Sequence, residues 1–160
     1  MNRFVILAAI LAIASGSAFA EPVIDEGVVR AISAEMFQAV KEGDISIVEK
    51  YYYPGSKIVL DMDPADDAGR SEIGYEEFLM LAEVGIESMS GGEYMVEVTD
   101  VVVDEEKNQA TIEESSTAVT EMMGVMLTQS SVSTTLFGVV DGEIKVLASE
   151  ERLVSMDIIQ

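Results

Sequence analysis

Five carboxylates crowd the stretch VLDMDPADDAGRSE at residues 59 to 72: Asp61, Asp63, Asp66, Asp67 and Glu72. Oxygen ligands at such spacing suit calcium. Counting Asp61 as the first position of a twelve-residue EF-hand loop puts Asp63 third, Asp67 seventh and Glu72 twelfth. The pattern breaks where that loop is most demanding, because Ala65 holds the fifth, ligating position, Asp66 replaces the turn glycine and Pro64 stiffens the chain. A solvated acidic loop accounts for the stretch, and no metal is expected. The same carboxylates, Asp61 among them, are also able to perform acid–base chemistry. One phenol from Tyr51, Tyr52 or Tyr53 could serve a site as a hydrogen-bond donor. Consecutive helical side chains diverge, so at most one or two of the three tyrosines can share a site.

The chain contains no histidine and no cysteine. Ser-His-Asp and Cys-His catalysis and the common zinc and iron ligand sets are therefore excluded, and no cofactor is expected. Carboxylates, tyrosines, lysine, arginine and hydroxyls remain as the side chains able to do chemistry. The net charge of −21 at neutral pH opposes binding to nucleic acid, itself a polyanion. It is equally the kind of surface that keeps an exported protein soluble without any partner.

Residues 1–20 have the composition of a cleaved secretory signal. Arg3 precedes the apolar run from Phe4 to Ala14, and Ala18 and Ala20 stand where signal peptidase prefers small residues. The run is shorter than the roughly 20 residues needed to span a bilayer, so no membrane insertion is expected after cleavage. A periplasmic or secreted protein is expected, with residues 21–160 forming a single domain. Without disulfides, burial must hold that domain together.

From Pro22 to Glu42 apolar residues recur at helical spacing, with Gly43 as the stop, and Asp44 can cap a shorter helix, ISIVEKYYY, ended by Pro54-Gly55. SKIVLDMD reads as a strand. A third helix is expected from about Glu72 to Met89, with Phe78, Leu81, Ala82, Gly85 and Met89 along one face. Beyond Gly91-Gly92 the segments 93–104, 109–120, 125–140 and 143–154 are rich in Val, Ile and Thr, with turns at 105–108 and at Asp141-Gly142, as in an antiparallel meander. The third segment is long enough to need a bulge, for which Gly124 and Gly138 are candidates.

This succession, with FQAVKEGDISIVEKYYYPGSKIVLD at one end and TLFGVVDGEIKVLASEERL at the other, resembles the nuclear transport factor 2-like superfamily, which includes ketosteroid isomerase and the SnoaL-type polyketide cyclases. The resemblance implies an α+β fold: a cone-like curved antiparallel sheet wrapped around a long N-terminal helix, with two further helices. It also implies an apolar pocket in the cone, lined here by Met36, Tyr52, Leu60, Phe78 and Phe137, and a homodimer through the outer sheet face. The chemistry of the superfamily does not transfer with it. Met36 stands where ketosteroid isomerase has its oxyanion-hole tyrosine. Leu60 falls at its general base, with Asp61 one residue on and pointing the other way unless the register shifts. Its second acid falls near Thr134 or Thr135. The scytalone dehydratase site needs histidine, and for the Asp-Arg-Asp set of limonene epoxide hydrolase Arg70 is the nearby arginine.

Other residues invite a bland explanation first. Met80, Met89, Met95, Met122, Met123 and Met126 suit an adaptable apolar pocket but are ordinary core filler, while EMMGVM, beside Gly124, is a candidate contact site. Glu113, Glu114 and Glu121 are expected to face outward; any that enters an apolar cone becomes an acid–base candidate. The leading expectation is an exported protein that binds a small apolar or amphipathic ligand in its cone, or acts as an interaction module. The alternatives are a lyase, isomerase or hydrolase using Asp61 with a tyrosine donor, and an assembly module whose cone is filled.

Overall fold

The computed structural model describes residues 21–63, 69–89, 92–122 and 125–159. The signal-like segment, the centre of the acidic loop at 64–68, and Met123 and Gly124 of EMMGVM lie outside the described residues. Helix α1 (Glu26–Glu42) starts where Asp25 accepts a hydrogen bond from the Val28 N–H at 2.8 Å. It ends at Gly43, whose φ of 75° places it in the left-handed region that a helix stop uses. Its Val29, Ile32, Ser33 and Ala39 are buried. Helix α2 (Ser46–Tyr51) is shorter than ISIVEKYYY, because Tyr52 is already extended. Asp44 accepts from the Ser46 N–H at 3.0 Å.

Strand β1 (Lys57–Asp61) follows, then a short strand β2 (Arg70–Ile73) where a helix start was expected, so that helix α3 (Tyr75–Met89) begins three residues later than Glu72. Arg70, Ser71 and Glu72 satisfy their backbones by antiparallel pairing with β1, which a reading of helical spacing does not detect. The four remaining strands are β3 (Glu93–Asp104), β4 (Gln109–Met122), β5 (Val125–Val140) and β6 (Glu143–Ile159). The six strands form one sheet in the order β2-β1-β6-β5-β4-β3. All neighbours are antiparallel except β1 and β6, which run parallel. The architecture is α+β: a curved, unclosed sheet with three helices.

Curvature comes from bulges. Register jumps leave Thr99 unpaired in β3 and Leu147 and Val154 unpaired in β6. The extra residues opposite β5 therefore sit in β6 rather than in β5 itself. Gly138 lies beside one of them, and a Cβ there would approach Leu147 Cδ1 to 2.5 Å, so a larger residue requires the bulged side chain to shift. The β5–β6 turn is tight, with Asp141 at φ 52° and Gly142 at φ 81°, the left-handed pair that two-residue hairpins favour.

The core lies between the concave face and the helices: Val29 and Ile32 of α1, Ile47 and Val48 of α2, Ile58 of β1, Ile112 of β4, Phe137 of β5 and Val146 of β6. Asn108 ties the N-terminal approach to the β3–β4 turn, accepting from the Ile24 N–H and donating to the Pro22 carbonyl, each at 2.8 Å. Among the described residues no helix is long and apolar enough to cross a membrane.

Candidate functional site: the cone

A cavity of about 530 Å³ opens between α1, α3 and the concave face of the sheet. Its upper walls are apolar. Met36 and Val40 come from α1, Phe78, Ala82 and Ile86 from α3, and Leu60 and Met62 from β1 and the residue after it. Two aromatic pairs stiffen them, Tyr52 with Phe78 at 4.6 Å between ring centroids and Phe37 with Tyr94 at 5.5 Å. On the sheet the lining turns polar: Glu114 and Ser116 on β4, Ser131, Ser133 and Thr135 on β5, and Ser149 and Glu151 on β6.

Strand geometry explains why these residues face inward. On β4 strict alternation carries the inward face from Ala110 through Ile112 to Glu114, Ser116 and Ala118. On β6 alternation from buried Val146 would bring Ala148 and Glu150 inward, but the bulge at Leu147 shifts the phase by one and turns in Ser149 and Glu151 instead. Ser133 pairs with Glu114 on one side and Glu151 on the other, so the two carboxylates sit in one row across three strands. At about 4.8 Å per strand spacing their backbones are about 10 Å apart.

Each carboxylate accepts a serine hydroxyl. Ser33 of α1 donates to Glu114, and Ser131 donates to Glu151 at 2.9 Å. Ser116 lies 2.8 Å from Ser131, so Ser116, Ser131 and Glu151 form one chain. The Tyr52 phenol donates to Ser149 at 3.3 Å, a long contact for two hydroxyls. Burial pushes both phenols up to about 12, and the charges of Glu151 and Glu114 add to the effect. Tyr52 and Tyr94 are thus held as neutral O–H donors at physiological pH. None of the eight described lysines and arginines lines the cavity.

Met36, Tyr52, Leu60, Phe78 and Phe137 all line this cavity. Asp61 does not: it follows Leu60 on a regular strand and emerges on the opposite face, between its register partners Arg70 and Arg152. Its Oδ1 is buried without a hydrogen-bond partner among the described residues. Glu113 is exposed as expected, whereas Glu114, also expected outside, lies in the cone; the Glu121 side chain lies outside the described ones. Thr135 reaches the cavity and Thr134 is exposed. Of the tyrosine triplet, Tyr52 alone lines the cone, and Tyr51 turns away to donate to Glu35 at 2.6 Å. Sequence reasoning missed Glu114, Glu151, Tyr94 and Ser33.

A second concavity, between α1, α2 and the β5–β6 turn, contains Glu35, Lys50, Tyr51 and Lys145. Its charges are already matched, Lys50 with Glu35 and Lys145 with Glu143 at 2.8 Å. Hydrogen bonds from Lys50 and Tyr51 hold the Glu35 carboxyl below its ordinary value. In the acidic stretch, Glu72 pairs with Lys57 at 3.5 Å on the sheet.

No protein-family model and no curated sequence matches the chain. Solved structures do. A ketosteroid isomerase-like protein from Erwinia carotovora atroseptica superposes with a TM-score of 0.62 at 15% identity over 82% of this chain and 99% of that one. An NTF2-like protein from Cytophaga hutchinsonii gives 0.60 at 13% identity over 82% and 100%. Hexachlorocyclohexane dehydrochlorinase LinA-type3 from Novosphingobium barchaimii gives 0.60 at 10% identity over 83% and 88%. The chain has the nuclear transport factor 2-like fold.

Proposed function

We propose that this protein binds a small amphipathic molecule inside its cone. The observation that carries the reading is the cavity: about 530 Å³, within the range of about 300–1,000 Å³ common to small-molecule sites, with apolar walls and a convergent polar floor. Apolar burial supplies most of the affinity in such a site, and the hydroxyls and carboxylates of the sheet orient the ligand. The neutral apolar dye Nile red is a direct probe. Saturable fluorescence enhancement with one site per chain supports the reading. Absence of saturation, together with an adduct-free native mass, would sink it.

A second reading has one observation in its favour: Tyr52, Tyr94, Glu114 and Glu151 face the same space. A carboxylate beside neutral phenols is a general base beside hydrogen-bond donors, the equipment of a lyase, isomerase or hydrolase. Asp61 would have to enter the cone to serve as that base, and β1 turns it away. In this reading a Glu151→Gln or Glu114→Gln protein still binds its small molecule but no longer converts it. The reading also includes export after cleavage behind Ala20 and pairing of two chains across the outer sheet face. Intact mass and sedimentation of protein recovered from the exported fraction test both.

A further inference from the structure

We propose that the ligand of the cone is an organic cation, an apolar body carrying a protonated amine that sits between Glu114 and Glu151. This inference rests on the binding reading above and specifies the class of ligand. The cavity is the site, and the composition of its floor selects the charge. Two carboxylates face it, in one row separated by Ser133, and every described lysine and arginine is elsewhere. The basic residue next to the wall, Lys41, is exposed over the Phe37 ring at 5.3 Å and is not part of the lining.

A carboxylate has about four acceptor sites, and the serine donors Ser33 and Ser131 fill one on each. The remaining acceptors point to a multi-donor cation, because a carboxylate that a bound ligand covers is satisfied best by an opposite charge. An anionic ligand would meet like charge on the floor. A purely apolar one would leave the two carboxylates covered and unmatched. The walls suit the same ligand. Tyr52 and Tyr94 line the same space and stay neutral, so neither phenol sets a competing charge beside the two carboxylates. Tyr52 is only 7% exposed, and its long contact to Ser149 leaves its hydroxyl able to turn to a ligand. The net charge of −21 adds a long-range field that draws cations toward the molecule.

The test is calorimetric titration with three probes of equal chain length: octylamine, protonated at neutral pH, neutral octanol, and octanoate. The expected order is octylamine tightest and octanoate weakest, with octylamine favoured over octanol by about tenfold or more, the size expected for one charge-assisted hydrogen bond. In the Glu114→Gln, Glu151→Gln double variant that preference should fall to near unity while octanol still binds. In Glu113→Gln, which removes an outward carboxylate from the same strand, it should persist. Equal binding of octylamine and octanol to the wild type overturns the inference and leaves the binding reading standing. A preference retained by the double variant overturns it too, since the surface field would then be the cause. If none of the three probes saturates, both the inference and the reading fall. Octanol binding by the double variant also reports that its cone has folded.

Discussion

Replacing Gly85 by leucine should stabilise the ligand-free protein and block its cone. Gly85 lies inside α3 on the cavity wall, and a Cβ there would meet nothing nearer than Met89 Cε at 3.9 Å. Glycine in a helix interior costs about 0.8 kcal/mol relative to leucine. A fully buried leucine side chain gains about 1.5–3 kcal/mol, so a half-buried one gains about 1. Ordering its rotamers returns about 0.5–1 kcal/mol. The balance is a stabilisation of about 1 kcal/mol, or a rise in Tm of about 2–4 °C for a domain of this size. The four added carbons occupy space that a ligand would use. Displacing the equivalent of two buried methylenes costs about 1.6 kcal/mol, so Nile red affinity should fall by about tenfold or more. Gly85→Ala should keep the helical gain without reaching into the cavity. Urea unfolding followed by circular dichroism, paired with the dye titration, reads both effects. A leucine variant less stable than the wild type would show that α3 packs closer to the sheet than described. One that is more stable but binds Nile red unchanged would place the ligand elsewhere.

Phe137, 1% exposed at the floor of the cone, should cost about 3–5 kcal/mol when replaced by alanine, measured as a shift of the urea midpoint at unchanged slope. Absorbance titration of the five tyrosines should resolve a late-ionising class containing Tyr52 and Tyr94, both raised in the folded state from 10.0 to about 12. Since the folded chain then holds protons that the unfolded chain releases, stability should be fully present below pH 10 and decline toward pH 12; flat stability across that window would contradict the burial of both phenols. Asn108→Ala should cost about 2–3 kcal/mol, about 1 for each hydrogen bond to the Pro22–Ile24 segment and about 1 for alanine at φ 50°. Asn108→Gly should recover the strain but not the hydrogen bonds, and equal losses in thermal unfolding would refute that partition.

Much of the fold was legible because periodicity was strong where elements are long. Val29, Ile32 and Met36 at helical spacing marked α1, and Gly43 marked its end; the β5–β6 turn followed from Asp141-Gly142. Strand β2 was not legible, since a four-residue strand with three exposed polar residues has no alternation to read. The apolar half of the site came from the family resemblance, which set Leu60 at the position of the ketosteroid isomerase base, while helical spacing had already set Phe78 on the apolar face of α3. Glu114 carried a readable signal that was missed, because alternation from Ile112 brings it inward. Glu151 carried none: its facing depends on the extra residue at Leu147, and parity counted from Val146 selects Glu150 instead. Ser33 shares the buried face of α1 with Val29 and Ile32, but a small hydroxyl at such a position does not reveal the carboxylate it will meet.

The parallel pairing of β1 with β6 sets the order in which this molecule can assemble. Strands β3 to β6 join neighbours in sequence and can form early, but the link to β1 spans a separation of 90 residues, as in the 2.7 Å hydrogen bond from Ser56 to the Val146 carbonyl. Contacts that distant carry a loop-closure cost that sequential neighbours avoid, which favours their forming after the meander. The cone has β1 on one side and the β4–β6 floor on the other, so its cavity does not exist until that closure is made. A ligand held there touches both partners of the late contact. It therefore acts as a clasp, stabilising an interaction absent from earlier folding stages, and its kinetic signature is slower unfolding with little change in the rate of folding.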